Sequence, residues 1–141
     1  MAETRRQARD RITDEIMAAA REQLAEVGAA ALSLRSVARQ VGMVSSAVYR
    51  YVESRDDLLT RLIIEAYDAI GDVAERAAAD AAHGSDLDRW AATGSAIRSW
   101  AIEHPHDHFL LYGTPVPGYI APQDTVVSGT RVTLALAAIV R

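Results

Sequence analysis

Residues 33–58, SLRSVARQVGMVSSAVYRYVESRDDL, constrain the fold of this chain more than any other stretch. Leu34, Val37, Ala38 and Val41 recur at helical spacing, which predicts a short helix over 34–41 with one apolar stripe. Ser33 stands just before it as an N-cap. Gly42 follows the last periodic residue, where a chain leaving a helix often needs positive φ. Ser45 offers a second cap, opening a helix over 45–51 whose Val48 and Tyr51, with Val52 just beyond, face back onto the first. So short a helix is unstable alone, and its neighbours must hold it. Two short helices around a glycine turn, the second running at once into a third, make a helix-turn-helix. That unit places one helix in the major groove of DNA. An αα-hairpin with no nucleic-acid role gives no reason for Tyr49 and Arg50 to occupy the outer face of so small a helix.

The pattern Ser33-Leu34-Arg35-Ser36-Val37-Ala38, then Gly42-Met43-Val44-Ser45, Val48-Tyr49-Arg50-Tyr51-Val52 and Ser54-Arg55-Asp56-Asp57-Leu58-Leu59, resembles the DNA-binding domain of the TetR family of transcriptional regulators. The resemblance runs from Ile12 to Ile63, with turn, aromatic and cap positions all in register. It departs at Met43 and Val44, where small or polar turn residues are more usual, and at Arg55, where lysine is commoner. Val44 in particular removes a polar contact to base or phosphate.

The resemblance implies an all-α protein: a three-helix DNA-binding domain over residues 1–56, then a helical effector-binding and dimerisation domain over 57–141. It implies a dimeric repressor that sets two recognition helices about 34–36 Å apart on a pseudo-palindromic operator in double-stranded DNA. Arg35 is then a candidate for a phosphate or guanine edge, and Ser45 and Ser46 stand at the mouth of the groove. Tyr49 would set its hydroxyl on the backbone and its ring on sugar or a thymine methyl. Arg50 and Tyr51 lie about 100° apart on a helix, so only one of them points fully at DNA. Arg55, at the start of the third helix, is the candidate phosphate clamp.

Periodicity outside the motif predicts helices throughout. A first helix runs from Arg9 to Val27, with Ile12, Ile16, Ala20, Leu24 and Val27 on one stripe, ending at Gly28. Arg5, Arg6, Arg9 and Arg11 precede or open it as a basic arm, which could order on phosphates or remain a frayed terminus. A long helix follows from Arg55 to about Ala82, capped by Ser54 with Asp57 as a short-armed capping box. Ser85 and Asp88 open another from Asp86 to His104, and Pro105 starts a short one. The prolines and glycines of 113–122 make a loop, and an apolar helix resumes over 123–141. It stops with no C-cap signal. Since the family adds two further helices that pair with a second subunit, the sequence is expected to be incomplete at its C-terminus.

Trp100-Ala101-Ile102-Glu103-His104-Pro105 and Phe109-Leu110-Leu111-Tyr112-Gly113 are also similar to the ligand-binding C-terminal type named for its Trp, His and Gly. That implies a pocket between helices, with Tyr67, Trp90, Ile97, Trp100, His104, Phe109 and Tyr112 as candidate lining residues. The effector would be a small apolar or amphipathic molecule. For each aromatic taken singly, ordinary core packing is the competing reading.

Composition narrows the classes that remain. The chain has no cysteine, which removes disulfides, thiol catalysis and thiolate metal sites together. His104, His106 and His108 are broken by Pro105 and lack the convergent partners a zinc site needs, so no metal or cofactor is expected. No phosphate-binding glycine loop or nucleophile elbow is present, so no catalytic residue is expected. No stretch reaches the ~20 apolar residues of a membrane span, and the charged N-terminus is not signal-like, so a cytoplasmic protein is expected. Net charge is −4, but residues 1–61 carry +1 and residues 62–141 carry −5, all fifteen cations being arginine. The DNA-binding third is therefore near neutral, and the acidic remainder can point away. A ligand-independent regulator or activator, and an interaction module that has lost DNA binding, stay open as alternatives.

Overall fold

The computed structural model describes residues 2–141, and among them every regular element is helical. Seven α-helices occur: α1 (Arg5–Val27), α2 (Leu34–Gln40), α3 (Ser45–Val48), α4 (Arg55–Asp80), α5 (Asp86–Glu103), α6 (Pro105–Tyr112) and α7 (Thr125–Ile139). A single 3-10 turn, Ala29–Ala31, lies between α1 and α2.

The chain divides into two compact units, one of residues up to Leu62 with Val116–Tyr119, the other of Ile63–Pro115 with Ile120–Arg141. The division falls within α4, further along the chain than the 56/57 boundary expected from sequence. A four-residue piece of the C-terminal loop also joins the first unit, which no local pattern signalled.

In the first unit α1 begins four residues earlier than periodicity suggested. Thr4 caps it through a complete capping box: Thr4 Oγ1 accepts from Gln7 N at 3.1 Å, and Gln7 Oε1 accepts from Thr4 N at 2.9 Å. Arg5, Arg6, Arg9 and Arg11 are thus helical residues and not an extended arm. Ile16, Met17, Ala19, Ala20 and Leu24 of α1 join Leu34, Val37 and Ala38 of α2, Val48 of α3, Val52, and Leu58, Leu59 and Leu62 of α4 in a core sealed from solvent. Val27, expected on the buried stripe, is instead exposed at the end of α1.

In the second unit Ser85 and Asp88 form the expected capping box at the start of α5, and Pro105 occupies the first turn of α6. Its core holds Ile63, Ala66, Ile70, Ala74 and Ala78 of α4, Thr93 and Trp100 of α5, and Ile139 of α7. Arg131 of α7 lies across α4. Its Nε and Nη2 donate to the two Glu75 carboxylate oxygens at 2.9 and 2.7 Å, Nη2 also to Asp72 at 2.5 Å, and Nη1 to the Asp68 carbonyl at 3.1 Å. Gly71 makes this possible, since a Cβ there would sit 2.9–3.0 Å from the Arg131 side chain. The same pairing raises the Arg131 pKa and holds the Glu75 carboxyl below its usual value.

Candidate nucleic-acid interface

The turn between α2 and α3 is built as the sequence implies. Ser33 caps α2 by accepting from Ser36 N. At its far end Gly42 takes φ +74, Gly42 N donates to Arg39 O at 3.2 Å, and Met43 N donates to Ala38 O at 2.8 Å. That pair of bonds is a Schellman motif, which satisfies the last carbonyls of α2 and turns the chain at glycine. Half-buried Met43 follows.

α3 differs from the expected seven-residue helix. Only Ser45–Val48 is α-helical; the chain then tightens, with Arg50 N and Tyr51 N donating three residues back to Ala47 O and Val48 O. Its N-cap is Val44 rather than Ser45, and no side chain caps it. Val48 is wholly buried, Ser45 is half-buried, and Ser46, Tyr49 and Arg50 are exposed. Arg35 on α2 is exposed as well.

Two of the expected DNA contacts have other partners. Tyr51 is half-buried, and the guanidinium of Arg9 lies over its ring at 5.2 Å from the centroid. The same Arg9 donates through Nη2 to the Arg50 carbonyl at 2.7 Å. Arg9 therefore ties α1 to the end of the recognition segment, and of the pair Arg50 and Tyr51 it is Arg50 whose side chain is left outward. Arg55, read from sequence as a phosphate clamp, turns inward to three main-chain carbonyls of the 3-10 turn: Leu32 from Nε, Ala29 and Ala30 from Nη2, each at 2.9 Å. Three of its five N–H groups are thus spent on the fold. Ser54 caps α4 by accepting from Asp57 N at 3.0 Å, while the Asp57 carboxylate takes Glu53 N–H rather than closing a box on Ser54.

The seven candidate ligand residues of the second unit differ in burial. Trp100 is buried, Tyr67 and Ile97 are half-buried, and Trp90, His104, Phe109 and Tyr112 are exposed. Two aromatic groups form. Tyr67 meets Tyr112 edge-on at 6.2 Å, with His108 beside Tyr112 at 5.3 Å; Trp100 stacks on His104 at 5.2 Å. Partial burial, with Tyr67 adding to it, pushes the Tyr112 phenol above its usual pKa. His104 ends α5, its Nδ1 lying 3.1 Å from the Trp100 carbonyl.

The model for bacterial regulatory proteins of the tetR family matches residues 16–62, and that for a tetracyclin repressor-like C-terminal domain matches residues 90–141. The chain belongs to the TetR family. It is 51% identical over 129 residues to the HTH-type transcriptional regulators Mb1846 of Mycobacterium bovis and Rv1816 of Mycobacterium tuberculosis. The match takes in 91% of this chain and 55% of theirs, so the chain spans about half the length of these curated relatives. The crystal structure of the regulatory protein SCO4313 superposes with a TM-score of 0.85 at 37% identity, over 97% of this chain and 64% of that one. A TetR-family regulator from Shewanella sp. PV-4 shares the fold at 18% identity, with a TM-score of 0.71 over 92% of this chain and 68% of its own.

Proposed function

We propose that this TetR-family chain is a sequence-specific DNA-binding transcriptional regulator, working as a homodimeric repressor on a pseudo-palindromic operator in double-stranded DNA. The reading rests on one observation above the others: α3 is fixed from behind by buried Val48 and by Arg9, while Ser46, Tyr49 and Arg50 are left to solvent. A one-turn helix cannot hold such a posture alone, so the unit is organised around presenting it. Tyr49 and Arg50 serve base edges and backbone, Arg35 a phosphate or guanine, and Ser45 and Ser46 the mouth of the groove.

Release follows from binding a small apolar or amphipathic molecule near Tyr67, Trp100, His104 and Tyr112. In support, α4 carries both Leu58 of the DNA-binding core and Tyr67 of the aromatic group on one continuous helix. The effector must favour the non-binding arrangement by a few kcal/mol to empty the operator, whatever its absolute affinity. The exposure of Trp90, Phe109 and Tyr112 favours a second reading, a regulator that needs no ligand.

The test is a titration of fluorescent duplex from upstream of the protein's own gene at several salt concentrations, with a Tyr49→Ala, Arg50→Ala double variant beside it. Sequence-preferring binding that the variant loses, with log affinity falling by about 0.9 per phosphate neutralised for each tenfold rise in salt, is the expected result. Equal binding by the variant would overturn the assignment of α3. Small apolar compounds that quench Trp100 and release the duplex identify the effector class; compounds that quench without release favour the ligand-independent reading.

A further inference from the structure

Between residues 33 and 54 the exposed large apolar side chains are two, Val44 at 69% and Tyr49 at 54%. Tyr49 has a hydroxyl to explain its setting. Val44 has nothing polar, and it stands at the N-cap of α3, with φ −69 and ψ 147 and its carbonyl accepting from Ala47 N at 2.9 Å. Serine, threonine, aspartate or asparagine at this position would cap the helix, so valine forgoes a stabilising bond and leaves an isopropyl group in water. The turn does not need it as packing: the half-buried residue there is Met43, which precedes it. Residues at the start of a recognition helix are those that reach base edges. A side chain without donor or acceptor can read only one feature of a major-groove edge, the C5-methyl group of thymine.

We propose that Val44 is a specificity residue that reads a thymine C5-methyl group in each half-site. The proposal rests on the DNA-binding reading above and adds to it a base identity and the atom recognised. Ser46, exposed two residues on, supplies hydrogen bonding that valine lacks, so an apolar and a polar reader open the same short helix.

The experiment starts from duplexes selected by the protein out of a randomised pool. Each thymine of the preferred duplex is then replaced singly by deoxyuracil, which deletes the methyl and keeps every hydrogen-bonding group. The expected result is one position per half-site where uracil weakens binding about three- to tenfold. Val44→Ala and Val44→Ser bind thymine and uracil duplexes alike at that position, and 5-methylcytosine paired with guanine recovers part of the parent's preference over plain cytosine. Val44→Ser gives the helix a side-chain cap it lacks, so loss of discrimination there is not loss of fold. Uniform tolerance of uracil by the parent, or an undiminished uracil penalty in Val44→Ala, overturns the assignment of Val44 alone. Failure to recover any preferred duplex overturns the regulator reading and this assignment with it.

Discussion

Arg55 illustrates how one side chain is diverted from function to fold. Its planar fork meets three carbonyls of the turn Ala29–Leu32, 23 to 26 residues earlier in the chain. Those carbonyls belong to a short 3-10 turn, and that of Ala29 also accepts from Leu32 N at 3.3 Å. Arg55→Ala should therefore destabilise the protein by about 2 kcal/mol in urea unfolding, and Arg55→Lys should rescue little, since an ammonium cannot bridge three fixed acceptors in one plane. Tyr49→Ala, on an exposed site, should move stability by no more than about 0.5 kcal/mol while weakening DNA binding. The two variants thus separate holding the unit together from using it. Sequence read Arg55, at the head of α4, as a phosphate clamp; its partners in the fold are too far along the chain for any local pattern to point the side chain inward.

Among the α-helices of the described residues, α3 is shortest and least supported from within. Val44→Asp or Val44→Ser should raise stability by about 1 kcal/mol through a new cap, seen as a higher thermal midpoint. What sequence made legible here was local: Ser33, Gly42 and the Val37–Ala38 stripe act through bonds spanning three to five residues, and all appear where expected. The length of α3 was not legible, because its end is set by Arg9 arriving from α1. The α4–α7 pairing was also invisible, resting on contacts 56 to 63 residues apart. Glu75 there has a depressed pKa, so its contribution is complete above its usual value of 4.5 and fades as pH falls through the lower folded value. Glu75→Gln should lower the thermal midpoint slightly at neutral pH, and that deficit should vanish in strong acid. The carboxylate is half-exposed, which keeps the effect small through solvent screening.

At the scale of the molecule, the DNA-binding unit is not one stretch of chain. Val116–Tyr119 belongs to it, and the Tyr119 hydroxyl lies 2.8 Å from Thr60 Oγ1 on α4. Tyr119→Phe should cost about 1 kcal/mol by leaving Thr60 without that bond, measurable by hydrogen exchange at the start of α4. The family match to residues 16–62 identifies the larger piece alone, and sequence reading, too, saw 113–122 only as a loop between helices. The arrangement bears on how such proteins diversify. Recombination that exchanges DNA-binding segments between relatives at residue 62 carries Thr60 into the new chain and leaves Tyr119 behind with the old one. A chimera joined at that seam gives up about 1 kcal/mol wherever the position facing the retained hydroxyl carries none of its own.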